Sequence, residues 1–184
     1  AIAFDGTNMW TANLNADSVT KITPAGAMTN YAGTGAMPAA IAFDGTNMWT
    51  ANYGANSVTR ITPTGVMTTY TGTGANPYAI AFDGTNMWTA NYAGNSVTRI
   101  TPTGVMTTYT GTGADPCAIA FDGTNMWTAN SDNNSVTKIT PTGAMTTYTG
   151  TGAGPNGIAF DGTNMWTANY DDNSVTRITP TGVM

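Results

Sequence analysis

The chain has 184 residues, 41% of them hydrophobic and only 8% charged, and it carries a net charge of −5 with no histidine and one cysteine, Cys117. That length suits a single domain able to bury a core without metals or cross-links, and a lone thiol excludes an internal disulfide, a CxxC redox pair and a cysteine-based zinc site. The composition is too apolar for a disordered chain, no apolar run approaches the ~20 residues of a helical membrane span, and the acidic balance argues against a nucleic-acid partner.

From Ile2 the chain reads IAFDGTNMWTAN, and the same twelve residues return unchanged at Ile41, Ile80, Ile119 and Ile158, a period of 39 residues. A period of that size, built from β-branched and aromatic runs broken by Gly, Pro and Asn, marks one supersecondary unit that buries its apolar residues by stacking on its copies. The repeats run 1–39, 40–78, 79–117, 118–156 and 157–184, the last incomplete, and together form one domain.

The second copy shows the elements in order. Ala40–Phe43 is an apolar run and reads as strand a, closed by a turn at Asp44-Gly45-Thr46-Asn47, where the Asp carboxylate caps backbone N–H groups and Gly tolerates positive φ. Met48–Asn52 reads as strand b, Tyr53–Asn56 as the b–c turn and Ser57–Thr62 as strand c. Pro63-Thr64-Gly65 forms the next turn, Val66–Thr71 is strand d, and residues 72–78 lead into the following strand a.

Four short antiparallel strands per repeat define an all-β fold, a β-propeller of four-stranded blades. A β-solenoid would use shorter coils, and no window shows helical periodicity. Strands a and b carry apolar residues on both faces, as in a blade held between two others, so the tryptophans are expected to fill the seams. Five a, b and c strands are present but only four d strands, so the last blade lacks its outer strand. A closed five-bladed ring is the first expectation, an excerpt of a longer array the other. In either, strand c of the last blade, residues 174–179, is an unpaired edge at which another chain could add.

Gly157-Ile158-Ala159-Phe160-Asp161 and Asn173-Ser174-Val175-Thr176-Arg177-Ile178 resemble the blades of the NHL family and its relatives in the streptogramin lyase group. The likeness covers the whole chain and implies the propeller fold, usually with six or seven blades. It also implies, for the lyases, catalysis through His and Glu with a divalent metal. This chain contains neither residue type, so no catalytic residue, metal or cofactor is assigned and the expectation is a protein that is not an enzyme. Asp171-Asp172-Asn173 and Asp132-Asn133 offer oxygens but match no calcium-loop spacing.

The charges divide by position. All five cations share one repeat position (Lys21, Arg60, Arg99, Lys138, Arg177), and five acids share another (Asp5, Asp44, Asp83, Asp122, Asp161). The net charge therefore resides in Asp17, Asp115, Asp132, Asp171 and Asp172, which fall in the b–c and d–a segments where the copies differ. In an up-and-down blade these segments lie at one end, so variation gathers on one face of the disc. Tyr with small polar residues makes a recognition surface. The expected ligand contacts are Tyr53, Asn56, Tyr78, Tyr92, Asn95, Asp132, Asn133, Tyr170, Asp171 and Asp172. The alternative is that these are permissive turn positions, since Gly, Asn and Asp favour turns in any case. The reading is a binding module for a glycan or protein ligand, secreted or displayed at a cell surface. The other reading is an assembly protein that self-associates through the last blade edge.

Overall fold

The computed structural model describes residues 1–184. Its strands form five antiparallel sheets. The first holds β1 (Ile2–Phe4), β2 (Met9–Asn13), β3 (Ser18–Ile22) and β4 (Met28–Ala32), and the second β5 (Pro38–Phe43), β6 (Met48–Asn52), β7 (Ser57–Ile61) and β8 (Met67–Thr71). The third holds β9 (Pro77–Phe82), β10 (Met87–Asn91), β11 (Ser96–Ile100) and β12 (Met106–Thr110), and the fourth β13 (Pro116–Phe121), β14 (Met126–Asn130), β15 (Ser135–Ile139) and β16 (Met145–Thr149). The fifth has three strands, β17 (Pro155–Phe160), β18 (Met165–Asn169) and β19 (Ser174–Ile178), and β19 forms its outer edge. No helix is long and apolar enough to cross a membrane.

Strand a begins two residues earlier than its apolar run suggests, because Pro38 pairs with Asn52 across a register shift that precedes Ala40. Proline needs no donor at the first position of a strand. The Asp turn does more than cap. Asp44 accepts the amides of Thr46 at 2.7 Å and Asn47 at 2.6 Å, and its second oxygen takes the Trp49 indole N–H at 2.6 Å. The turn thereby aims the ring into the seam.

Each seam joins strands b and c of one blade to strands a, b and c of the next. Trp49, Ala51 and Val58 pack on Ile80, Met87 and Ile100, and the equivalent sets recur on either side. The outer-strand tyrosine covers the tryptophan, with Trp49 and Tyr70 stacked at 5.7 Å. A clamp that crosses the seam uses the repeat cations: Lys21, Arg60, Arg99 and Lys138 donate to the carbonyls of Pro63, Pro102, Pro141 and Pro180 in the following blade, at 2.9–3.1 Å. A buried amide locks each hairpin. Asn52 donates to Ser57 and Thr59, both at 3.0 Å, and accepts from Thr50 at 2.8 Å, so a polar group inside the sheet is fully used.

The blades form an open arc, which corrects the first of the two expectations, a closed five-bladed ring. Packing of inner strands runs from β1 to β5, β9, β13 and β17, with no comparable packing from β17 back to β1. Ile2 (59%) and Phe4 (55%) are exposed on one flank, Trp166 (37%) and Val175 (67%) on the other. The seam between successive blades thus recurs four times and is not repeated between the fifth blade and the first.

Two of the turn carboxylates, Asp5 and Asp161, couple their titration to the fold. At Asp5 burial pushes the pKa up, but bonds from the Asn8 amide, the Trp10 indole, the Asn8 side chain and the Thr7 amide outweigh it and hold the value at about 2. At Asp161 the Asn164 amide and the Trp166 indole hold it at about 2. A folded pKa below the unfolded one stabilises above the unfolded value and ceases to do so as pH falls through the folded one. Thermal midpoints are therefore expected to hold from neutral pH to roughly pH 4 and to drop between there and about pH 2, with Asp5→Asn flattening part of the drop. A wild-type profile that stays level down to the lower limit would contradict this.

Candidate functional site

The b–c and d–a loops meet on one face, and their backbones are specialised. Asp17, Asn56, Asn95, Asn134 and Asn173 all adopt positive φ, between 43° and 55°, a conformation that Asn and Asp accept more readily than other side chains. Four of them tie the two loops of a blade together: the side-chain oxygens of Asp17, Asn56, Asn95 and Asn134 accept the amides of Met37, Asn76, Asp115 and Gly154 at 2.8–3.0 Å. Asn56 and Asn95 are thus engaged in closing their own loops.

Near the inner strands the face sinks into a depression of about 390 Å³. Two sets of equivalent repeat positions line it. The residue after strand b supplies Tyr53, Tyr92, Ser131 and Tyr170, and the second residue of strand a supplies Tyr78, Cys117 and Asn156. Gly154 and Asp171 complete the wall. The depression is built from positions at which the copies differ. Tyr53 and Tyr78 meet edge to face with centroids 6.0 Å apart, and Tyr78 and Tyr92 follow at 5.9 Å, giving a continuous aromatic side. Tyr170 is strongly exposed and lines the depression together with its sequence neighbour Asp171.

The polar groups divide into used and free. Asp172 accepts from the Ser174 hydroxyl at 2.6 Å and the Ala153 amide at 2.9 Å, and these bonds lower its pKa. Asn133 accepts from Ser135 at 2.8 Å. Asp132 lies outside the wall of the depression, as do Asn56, Asn95, Asn133 and Asp172. The structure therefore brings five of the ten expected contacts together, Tyr53, Tyr78, Tyr92, Tyr170 and Asp171, and sets the other five apart in loop-closing or peripheral positions. Cys117, outside the expected contacts, lines the depression too: it is buried, its thiol points to the Pro155 carbonyl at 3.2 Å, and burial raises its pKa. Its equivalence to Tyr78 was visible in the repeat alignment and would have found it. The Tyr92 hydroxyl is also held protonated to higher pH, first by its contact with Asp115 and then by burial.

The opposite face is invariant for structural reasons. Its Asp turns bind the tryptophans, and its Pro-x-Gly turns lie against the tyrosine of the preceding blade, as Gly104 does against Tyr70. The contrast between faces thus reflects steric demand on one side, and the case for a site rests on the convergence of Tyr and Asp in the depression.

The pattern that defines the virginiamycin B lyase family matches residues 1–184. The chain belongs to that family. Among solved structures, streptogramin B lyase is 24% identical with a TM-score of 0.86, over 100% of this chain and 66% of its own length. A catalytically inactive His-to-Ala variant of virginiamycin B lyase from Staphylococcus aureus, solved with quinupristin, is 27% identical with a TM-score of 0.86, over 99% of this chain and 67% of its own. A structure of the nidogen/laminin complex aligns at 14% identity and a TM-score of 0.80, over 98% of this chain and 75% of that one. The chain spans about two thirds of the length of the lyases. No curated protein sequence matches it.

These findings overturn the expectation of a protein that is not an enzyme, since the family and its solved members are lyases. That expectation weighed only which residue types are missing. Family membership is carried by the repeat pattern along the whole chain, which an inventory of residue types does not see.

Proposed function

We propose that this chain provides the ligand-recognition face of a virginiamycin B lyase family propeller, with the ligand seated in the depression formed by Tyr53, Tyr78, Tyr92, Tyr170 and Asp171. The observation that carries the reading is the convergence of these five residues on one concavity. A concave, mostly aromatic wall with a few polar groups is the usual form of a small-molecule site, and rigid tyrosines give contact area at low entropic cost. Its volume, about 390 Å³, matches a small molecule, or one sugar residue or side chain of a larger glycan or protein. The lyase solved with quinupristin and the nidogen/laminin complex supply precedents for small and large ligands on proteins of similar fold.

The test is a glycan array and a small-molecule thermal-shift panel, run on the wild type and on a Tyr53, Tyr92, Tyr170→Ala variant. A specific, saturable signal is expected from the wild type and at least about tenfold weaker binding from the variant, as for the loss of central aromatic anchors. A signal equally strong in the variant would contradict the site.

A further inference from the structure

From the charge distribution and the aromatic wall, we infer that the group entering the depression is a small organic cation, an alkylammonium. The inference rests on the reading of this concavity as a recognition site and goes on to name the ligand chemistry.

Charge is separated between the two faces. The repeat cations lie toward the Pro-x-Gly end of strand c, where Lys21, Arg60, Arg99 and Lys138 are spent on proline carbonyls of the next blade. They share that end with the five turn aspartates, which balance them. All five uncompensated acids, Asp17, Asp115, Asp132, Asp171 and Asp172, lie in the loops of the other face. The net charge of −5 is therefore the charge of the variable face, whose potential favours a cation over a neutral or anionic guest.

The wall matches that preference. Tyr53, Tyr78 and Tyr92 form one contiguous aromatic side and Tyr170 adds a fourth ring to the wall, a lining that attracts an ammonium through ring quadrupoles and accommodates its methyl groups. Asp171 supplies the only carboxylate in the wall. Its backbone N–H donates to Ala153 O at 3.1 Å while its side chain takes part in no hydrogen bond, in contrast to Asp172. The wall holds no Lys or Arg, and Cys117 remains a neutral thiol.

The test titrates the intact chain with choline and with its uncharged isostere dimethylbutanol, followed by calorimetry. Choline is expected to bind saturably, the isostere about tenfold more weakly, and Asp171→Asn to lose about tenfold in choline affinity while unfolding at the wild-type midpoint. Added salt should weaken choline binding and leave the isostere unaffected. Equal binding of the two probes, or an unaltered affinity in Asp171→Asn, would overturn the cation assignment. If choline fails to bind while the array or panel yields a tyrosine-dependent ligand, the assignment falls and the recognition site stands. If no probe binds in a tyrosine-dependent way, both fall.

Discussion

Trp88→Ala is expected to remove about 3–5 kcal/mol of stability, whereas the same change at Trp166 should cost about 1–2 kcal/mol. The two residues occupy one repeat position in identical sequence surroundings. Trp88 is fully buried between blades, where it packs with Ala90 and Val97 against Ile119, Met126 and Ile139. It stacks on Tyr109 at 5.8 Å and donates to Asp83 at 2.6 Å. Trp166 keeps the equivalent bond to Asp161 at 2.6 Å but is 37% exposed and lacks the facing blade. Urea unfolding of both variants separates the two contributions. A large gap assigns the stability to the seam, and equal losses would assign it to the hairpin and its indole–carboxylate bond.

Gly104→Ala is expected to cost about 2–4 kcal/mol, combining left-handed backbone strain with overpacking. Gly104 has φ +86°, and a Cβ there would fall within the Tyr70 ring. That ring is stacked on Trp49 and lies under Arg60 at 5.8 Å, so it cannot withdraw without opening the seam. Gly26 occupies the same turn in the first blade with φ +81° and open space around it. Gly26→Ala should therefore show the backbone strain alone, about 1 kcal/mol. Thermal midpoints of the two variants give the difference directly, and comparable losses would show that the tyrosine does not enforce glycine in this turn.

Most of the fold was legible because the repeat states it five times. The alternation of Gly- and Pro-bearing turns with β-branched runs placed strands b and d to within a residue, and the apolar residues on both faces of strands a and b placed Trp49 and its equivalents in seams. What escaped notice depends on three-dimensional curvature. The sequence shows one Lys or Arg per repeat at a shared position, and only the packing of adjacent blades reveals its proline carbonyl acceptor 42 residues on. The bond from Asp44 to Trp49 spans five residues across a hairpin, and was within reach of the sequence had the turn been read as aiming the ring as well as capping the backbone. The first expectation, a closed ring, did not hold because whether the last blade meets the first depends on packing between blades, which leaves no mark on the period.

The residues lining the depression were legible as a set of variable positions and less so as a constellation. Tyr53, Tyr78 and Tyr92 stood out as departures between copies, yet their meeting at 6.0 and 5.9 Å requires loops of successive blades to converge near the inner strands. Asn56 and Asn95 looked like contacts because Asn suits both turns and binding surfaces; their positive φ and bonds to the adjoining loop assign them to the turn. Asp171 and Asp172 are neighbours in sequence with opposite fates, one facing the depression and the other committed to Ser174 and Ala153.

Fluorotyrosine NMR tests the central claim most directly, because the eight tyrosines divide into two groups. Tyr31, Tyr70, Tyr109 and Tyr148 stack on tryptophans at the outer strands, and Tyr53, Tyr78, Tyr92 and Tyr170 surround the depression. With resonances assigned by single Tyr→Phe variants, the chain would be titrated with choline, dimethylbutanol and a panel of mono- and disaccharides. A recognition site in the depression predicts saturable shifts in the second group with the first unmoved. Shifts confined to the outer-strand group, or no saturable shift with any probe, would contradict it.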